Sequence, residues 1–125
     1  MVVGRSLVIG KPVSMILLRH NASVTICHSK TLDLAEVTRQ ADIVICATGR
    51  ARAFGAEYFT EGQIVLDVGI NMDEDGNLCG DADFGSAEAA LGDEGAITPV
   101  PRGIGGVTTS VLMKHVIEAA QRCGA

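Results

Sequence analysis

Short unbroken apolar runs alternate with amphipathic or polar stretches along this chain, and that alternation most narrows its fold. The runs are Val2–Val3, Ser23–Cys27 (SVTIC), Asp42–Ala47 (DIVICA), Ile64–Asp67 (IVLD) and Ala96–Val100. Each reads as a strand buried on both faces, which is the habit of a parallel sheet. Helices are expected over 12–20, 33–40, 86–91 and 107–123, with a short one near 57–59. Asn21 is a natural stop for the first. In the last, Val107, Val111, Leu112, Val116 and Ala119 define an apolar face expected to be buried. Asp73–Gly76 (DEDG) is a turn signal, so a small hairpin of Ile70–Met72 and Leu78–Gly80 is predicted.

Right-handed crossovers between such strands give an α/β fold, a doubly wound parallel sheet of Rossmann type, here expected in the order 3-2-1-4-5. Ligands of these sheets sit at the carboxyl ends of the strands. Here those ends are Gly4–Ser6, His28–Lys30, Thr48–Gly49 and Val68–Asn71, all rich in Gly, hydroxyls or cations. At the first, Gly4, Arg5 and Ser6 lead through Gly10 to Pro12, which is expected to open a helix. Free N–H groups of a first helical turn favour an anion. Ser6 adds a hydroxyl and Arg5 a cation, so the turn reads as a phosphate cradle. Its spacing, G-x-S-x-x-x-G, departs from G-x-G-x-x-G. Taken alone, it reads equally well as a connection that uses glycine only for geometry. The other strand ends raise the cofactor reading above that one.

The second strand end distinguishes the nicotinamide cofactors. An NAD site carries Asp or Glu there for the ribose 2′-hydroxyl. This chain has His28, Ser29 and Lys30, with Arg5 on the neighbouring loop. Hydroxyl and cationic donors suit a 2′-phosphate, so NADP is expected over NAD. Thr48, Gly49, Gly69 and Ile70 complete the expected cofactor edge.

Composition removes other classes. The 125 residues are 47% apolar and 20% charged, so the whole chain, 1–125, reads as one globular domain. Aromatics make up 3% and the net charge is −5. Both argue against a nucleic-acid partner. No apolar run is long enough for a membrane span, so no membrane partner is expected. Cys27, Cys46, Cys79 and Cys123 lack C-x-x-C spacing and read as reduced thiols of a cytoplasmic protein. Asp67, Asp81 and Asp83 are read as solvated or turn-capping carboxylates, not metal ligands. His20 and His115 are expected on helix surfaces or ends, and no nucleophile–base pair can be assembled, so no catalytic residue is assigned. The chain begins almost inside its first strand, which reads as a piece cut at a domain boundary.

The segments VVGRSLVIGKP, VTICHSKT, DIVICATG, IVLDVGIN, GDADF and ITPVPRGIGGVTTSVL occur in that order. In combination they resemble the C-terminal, NAD(P)-binding domain of the bifunctional methylenetetrahydrofolate dehydrogenase/methenyltetrahydrofolate cyclohydrolase family. The resemblance covers essentially the whole chain. It implies a cytoplasmic homodimer of one-carbon metabolism and purine biosynthesis. The implied reactions are hydride transfer from 5,10-methylenetetrahydrofolate to NADP, then hydrolysis of the methenyl product. Gly4, Arg5, Ser6, Ser29 and Ile70 match the family's cofactor-contacting positions. Pro101, Gly103, Ile104 and Gly105 match a loop beside the folate. The family's catalytic Lys, its Tyr partner and most folate contacts belong to an N-terminal domain, absent from this sequence. Tetrahydrofolate derivatives would therefore be engaged mainly through that domain, and this chain alone is expected to be inactive. The alternative is a free-standing dinucleotide-binding or regulatory module without catalysis. The loop departs from the family pattern: PVPRGIGG stands where PVPGGVGP is usual, so Arg102 replaces a glycine and must either hold a conformation that strains other residues or let the loop take another.

Overall fold

The computed structural model describes residues 1–124. Five parallel strands form the main sheet: β1 (Val2–Val3), β2 (Ile26–Cys27), β3 (Ile43–Cys46), β4 (Ile64–Asp67) and, completing it, β7 (Ala96–Ile97). A separate antiparallel hairpin pairs β5 (Asn71–Met72) with β6 (Leu78–Cys79). The helices are α1 (Gly10–Arg19), α2 (Leu34–Thr38), α3 (Phe84–Leu91) and α4 (Ile104–Arg122), with a 3₁₀ turn at Ala56–Tyr58. Asn21 ends the first helical segment with φ 64°, and Gly76 turns the hairpin with φ 79°. The α/β class, the parallel sheet and the hairpin agree with the sequence expectation. No helix among the described residues is long and apolar enough to cross a membrane.

The strand order differs from the expected one. The observed order is β2-β1-β3-β4-β7, so the five main strands run 2-1-3-4-5 instead of 3-2-1-4-5. The chain does not continue outward after β2; it crosses back over β1 and lays β3 on the other side. Burial accounts for this. An interior strand needs apolar residues on both faces, and β3 supplies Val44, Ile45 and Cys46, all buried. In β2 only Cys27 is buried, while Ile26 is 43% exposed, which suits an edge. The predicted strands over 23–27 and 96–100 also contract to two paired residues each.

The core gathers Val3, Cys27, Val44, Cys46 and Val65 of the sheet with Phe54, Phe59, Ala82, Ala87 and Leu91. Phe54 meets Tyr58 edge to face, the ring centroids 5.0 Å apart. Gln63 is buried but satisfied. Its amide donates to the Thr38 and Ala41 carbonyls, and its oxygen accepts the Thr60 N–H. The apolar stripe of α4 stays uncovered, contrary to expectation. Val107, Val111, Leu112 and Val116 are 45–61% exposed, Ala119 is exposed, and the helix buries no residue. Helical spacing shows that a stripe wants cover; it does not say that the cover lies within the same 124 residues.

Candidate cofactor cleft

Because every strand of the main sheet is parallel, all five carboxyl ends emerge along one edge. At β1, Gly4 turns with φ 135°, and a Cβ there would lie 2.2 Å from the Ala47 carbonyl oxygen. A Cβ on Gly10 would lie 2.4 Å from the Gly4 carbonyl oxygen. Both glycines therefore let α1 and the end of β3 close on the turn. The helix begins at Gly10, two residues before Pro12. Its first N–H groups are not left open, as the sequence had suggested. Ser6 Oγ accepts the Ile9 and Gly10 N–H at 3.1 and 3.3 Å, and the Ser6 carbonyl accepts that of Lys11. Side-chain capping of this kind satisfies donors that a helix start would otherwise offer to a ligand. Arg5 is exposed and has no carboxylate partner among the described residues.

The end of β2 is a closed turn. Thr31 Oγ1 accepts the His28 N–H at 3.0 Å, His28 Nδ1 accepts the Lys30 N–H at 3.1 Å, and the Thr31 N–H donates to the His28 carbonyl. His28 is thus occupied in shaping the loop. The side chains of Ser29 and Lys30 remain exposed.

Two aspartates organise the ends of β3 and β4, and here the structure overturns the sequence reading. Asp67 and Asp81 are not solvated: they are 3% and 0% exposed. Asp67 Oδ1 accepts the N–H groups of Gly69 and Asp81, both at 3.0 Å, and Oδ2 accepts that of Ala82 at 2.8 Å. Burial pushes the Asp67 carboxyl above its ordinary range, against the opposing pull of these three donors. Asp81 accepts more. Its Oδ2 takes the Thr48 hydroxyl at 2.8 Å together with the Thr48 and Gly49 N–H. Its Oδ1 takes the Arg50 N–H and the Asn71 side-chain amide, each at 3.0 Å. Each carboxylate is seated on a glycine. A Cβ on Gly69 would lie 2.1 Å from Asp81 Oδ1, and one on Gly80 would lie 2.0 Å from Asp67 Oδ2. Asp83 starts α3 through its carbonyl and makes no side-chain cap. No group of His, Cys, Asp or Glu among the described residues could hold a metal ion. His20 sits at the end of α1, and His115 lies exposed on α4.

A cleft of about 180 Å³ opens between the loop after β4 and the one after β7. Gly69 and Ile70 line one side; Pro101, Gly103, Ile104 and Gly105 line the other. The structure so brings together two expected cofactor residues and all four expected folate-loop residues. Thr48 and Gly49 join them indirectly, through Asp81. Gly4, Arg5, Ser6, His28, Ser29 and Lys30 lie farther along the same sheet edge, outside this cleft. Arg102 has φ 75°, a left-handed backbone, so of the two alternatives it holds the strained geometry. Asp67, Asn71, Gly80, Asp81 and Thr98, whose hydroxyl accepts the Asp67 N–H, were missed as site residues. The available signal was Gly immediately before Asp in GDADF, a short loop after DVGIN.

A model of the tetrahydrofolate dehydrogenase/cyclohydrolase NAD(P)-binding domain matches residues 1–124. The chain belongs to that family. It is 56% identical over 121 residues to the bifunctional protein FolD of Clostridium botulinum, matching 97% of this chain and 42% of that protein. Among solved structures, the FolD methylenetetrahydrofolate dehydrogenase/cyclohydrolase of Campylobacter jejuni superposes with a TM-score of 0.88 at 39% identity, over 97% of this chain and 42% of that one. The dehydrogenase-cyclohydrolase of Trypanosoma brucei, solved with NADP cofactor and an inhibitor, gives 0.84 at 36% identity, over 99% and 43%. The chain spans less than half the length of these family members, and its fold is that of their NAD(P)-binding part.

Proposed function

We infer that this chain binds NADP and serves as the cofactor-holding part of a methylenetetrahydrofolate dehydrogenase/methenyltetrahydrofolate cyclohydrolase. The observation that carries the reading is the family match over 1–124, joined to the exposed hydroxyl and cationic groups that follow the neighbouring strands β1 and β2. The residues present fit the cofactor. Arg5 has no ion pair among the described residues, and Ser29 and Lys30 project from the end of β2 with no acid among them, so this edge would hold the 2′-phosphate. Gly69 and Ile70 would border the nicotinamide, with the Pro101–Gly105 loop facing the folate. The bound cofactor would supply the hydride-accepting centre. This chain would orient that centre and screen it from water.

The remaining steps are assigned elsewhere. Lys11, Lys30 and Lys114 lie beside the first turn, at the β2 end and on α4, none beside the Pro101–Gly105 loop. Acid–base chemistry and most of the grip on tetrahydrofolate derivatives would come from a further domain. A cytoplasmic homodimer and a contribution to purine biosynthesis rest on the family resemblance alone. Calorimetric titration with NADP tests the reading, alongside an assay of methylenetetrahydrofolate oxidation. The expected result is saturable one-to-one binding without turnover by residues 1–125. No binding up to millimolar NADP would overturn it.

A further inference from the structure

We propose that Asp81 is a positioning residue of the cofactor edge, one that fixes Thr48 as a hydrogen-bond acceptor toward the nucleotide; this rests on the NADP-binding reading above. Asp81 is fully buried and cannot itself meet a ligand. Its carboxylate instead reaches the ends of two strands. From β3 it takes the Thr48 hydroxyl and three successive N–H groups, those of Thr48, Gly49 and Arg50; beyond β4 it takes the Asn71 amide. The backbone reinforces the link, because Arg52 N–H donates to the Gly80 carbonyl and Phe54 N–H to that of Asp81.

The consequence is a polarity. A carboxylate only accepts, so the Thr48 hydroxyl proton is committed to it. The Thr48 oxygen then offers a ligand only lone pairs. Its partner must be a donor, a sugar hydroxyl or an amide N–H; a phosphate oxygen is refused. Phosphate recognition is left to Arg5, Ser29 and Lys30, farther along the edge. The removal of three N–H groups from the same loop works in the same direction, since those donors would otherwise attract an anion.

The test is NADP affinity in wild type, Asp81→Asn, Thr48→Val, Thr48→Ser and the Asp81→Asn/Thr48→Val pair. Each of the Asn and Val variants should bind about tenfold more weakly, the range for one lost hydrogen bond. The pair should bind no more weakly than the worse single variant, because both act through one hydroxyl. Thr48→Ser should recover most of what Thr48→Val loses. A purely structural role for Asp81 predicts losses that multiply, and that result would overturn the proposal. Amide exchange in the wild type keeps the idea falsifiable where Asp81→Asn does not fold. Gly49 and Arg50 are exposed loop residues, so slow exchange of their N–H groups is expected only with Asp81 holding them, and fast exchange contradicts the proposal. Wild type that binds no NADP removes the underlying function. Wild type that binds, with variants equal to it, removes the role of Asp81 alone.

Discussion

The Asp67 carboxylate accepts the backbone N–H of Asp81 at 3.0 Å, so one buried acid positions the residue that carries the next. The relationship ties the end of β4 to the return of the hairpin. It also puts a titratable group under the cleft. Burial raises the pKa of Asp67 in the folded state, so the folded chain holds that proton more tightly than the unfolded chain. The sign follows: this group favours folding most below its unfolded value of 3.8, and the contribution is lost as pH rises through the raised value. Asp67→Asn removes the titration and sets an amide against backbone donors. It should lose about 1–3 kcal/mol at neutral pH, and its deficit against wild type should widen on acidification into that window. Urea melts at several pH values measure this, and a deficit that narrows on acidification would contradict the sign.

Gly80 is required by the space it leaves. A Cβ at 2.0 Å from Asp67 Oδ2 cannot be absorbed by a flexible chain end, because that oxygen is held by the Ala82 N–H. Gly80→Ala should cost about 1–3 kcal/mol or more, the range for an overpacked interior. Gly105, at an open position in α4, is the control: Gly105→Ala should leave stability unchanged or raise it by up to about 1 kcal/mol. Thermal melting of the two variants separates them.

Arg102 holds a left-handed backbone, φ 75°, with no ion pair among the described residues to compensate. Such a conformation costs a non-glycine residue on the order of 1–3 kcal/mol, against which glycine loses up to about 1 kcal/mol in unfolded-state entropy. Arg102→Gly should therefore raise stability or leave it unchanged. A clear drop in melting temperature would reveal a favourable contact of the Arg102 side chain.

These sites differ in how readable they were from sequence. Val44–Cys46 and Val65 announce buried parallel strands by their unbroken apolar character, so the fold class follows directly. Strand order does not, because moving β3 from the outside of β2 to the far side of β1 leaves every apolar run unaltered. The strain at Arg102 was legible because the family places glycine there. The α4 stripe was legible as a stripe, but what covers it is not a property of its own spacing. Asp81 was misread because Asp beside Gly is an ordinary turn signature, and Asp67 because nothing at the end of its own strand announces a second loop folded over it. Only the crossing of two loops, with each glycine seating the other loop's carboxylate, shows that these acids lie inside.

Under the proposed function, this sheet edge selects NADP through cationic and hydroxyl donors. Calorimetric titration of residues 1–125 with NADP and with NAD, in wild type and Arg5→Ala, tests it most directly. Wild type should prefer NADP. Arg5→Ala should weaken NADP by about 10- to 100-fold, the range for one charge-assisted contact, and should change NAD little. Equal affinity of the wild type for the two cofactors would contradict the account.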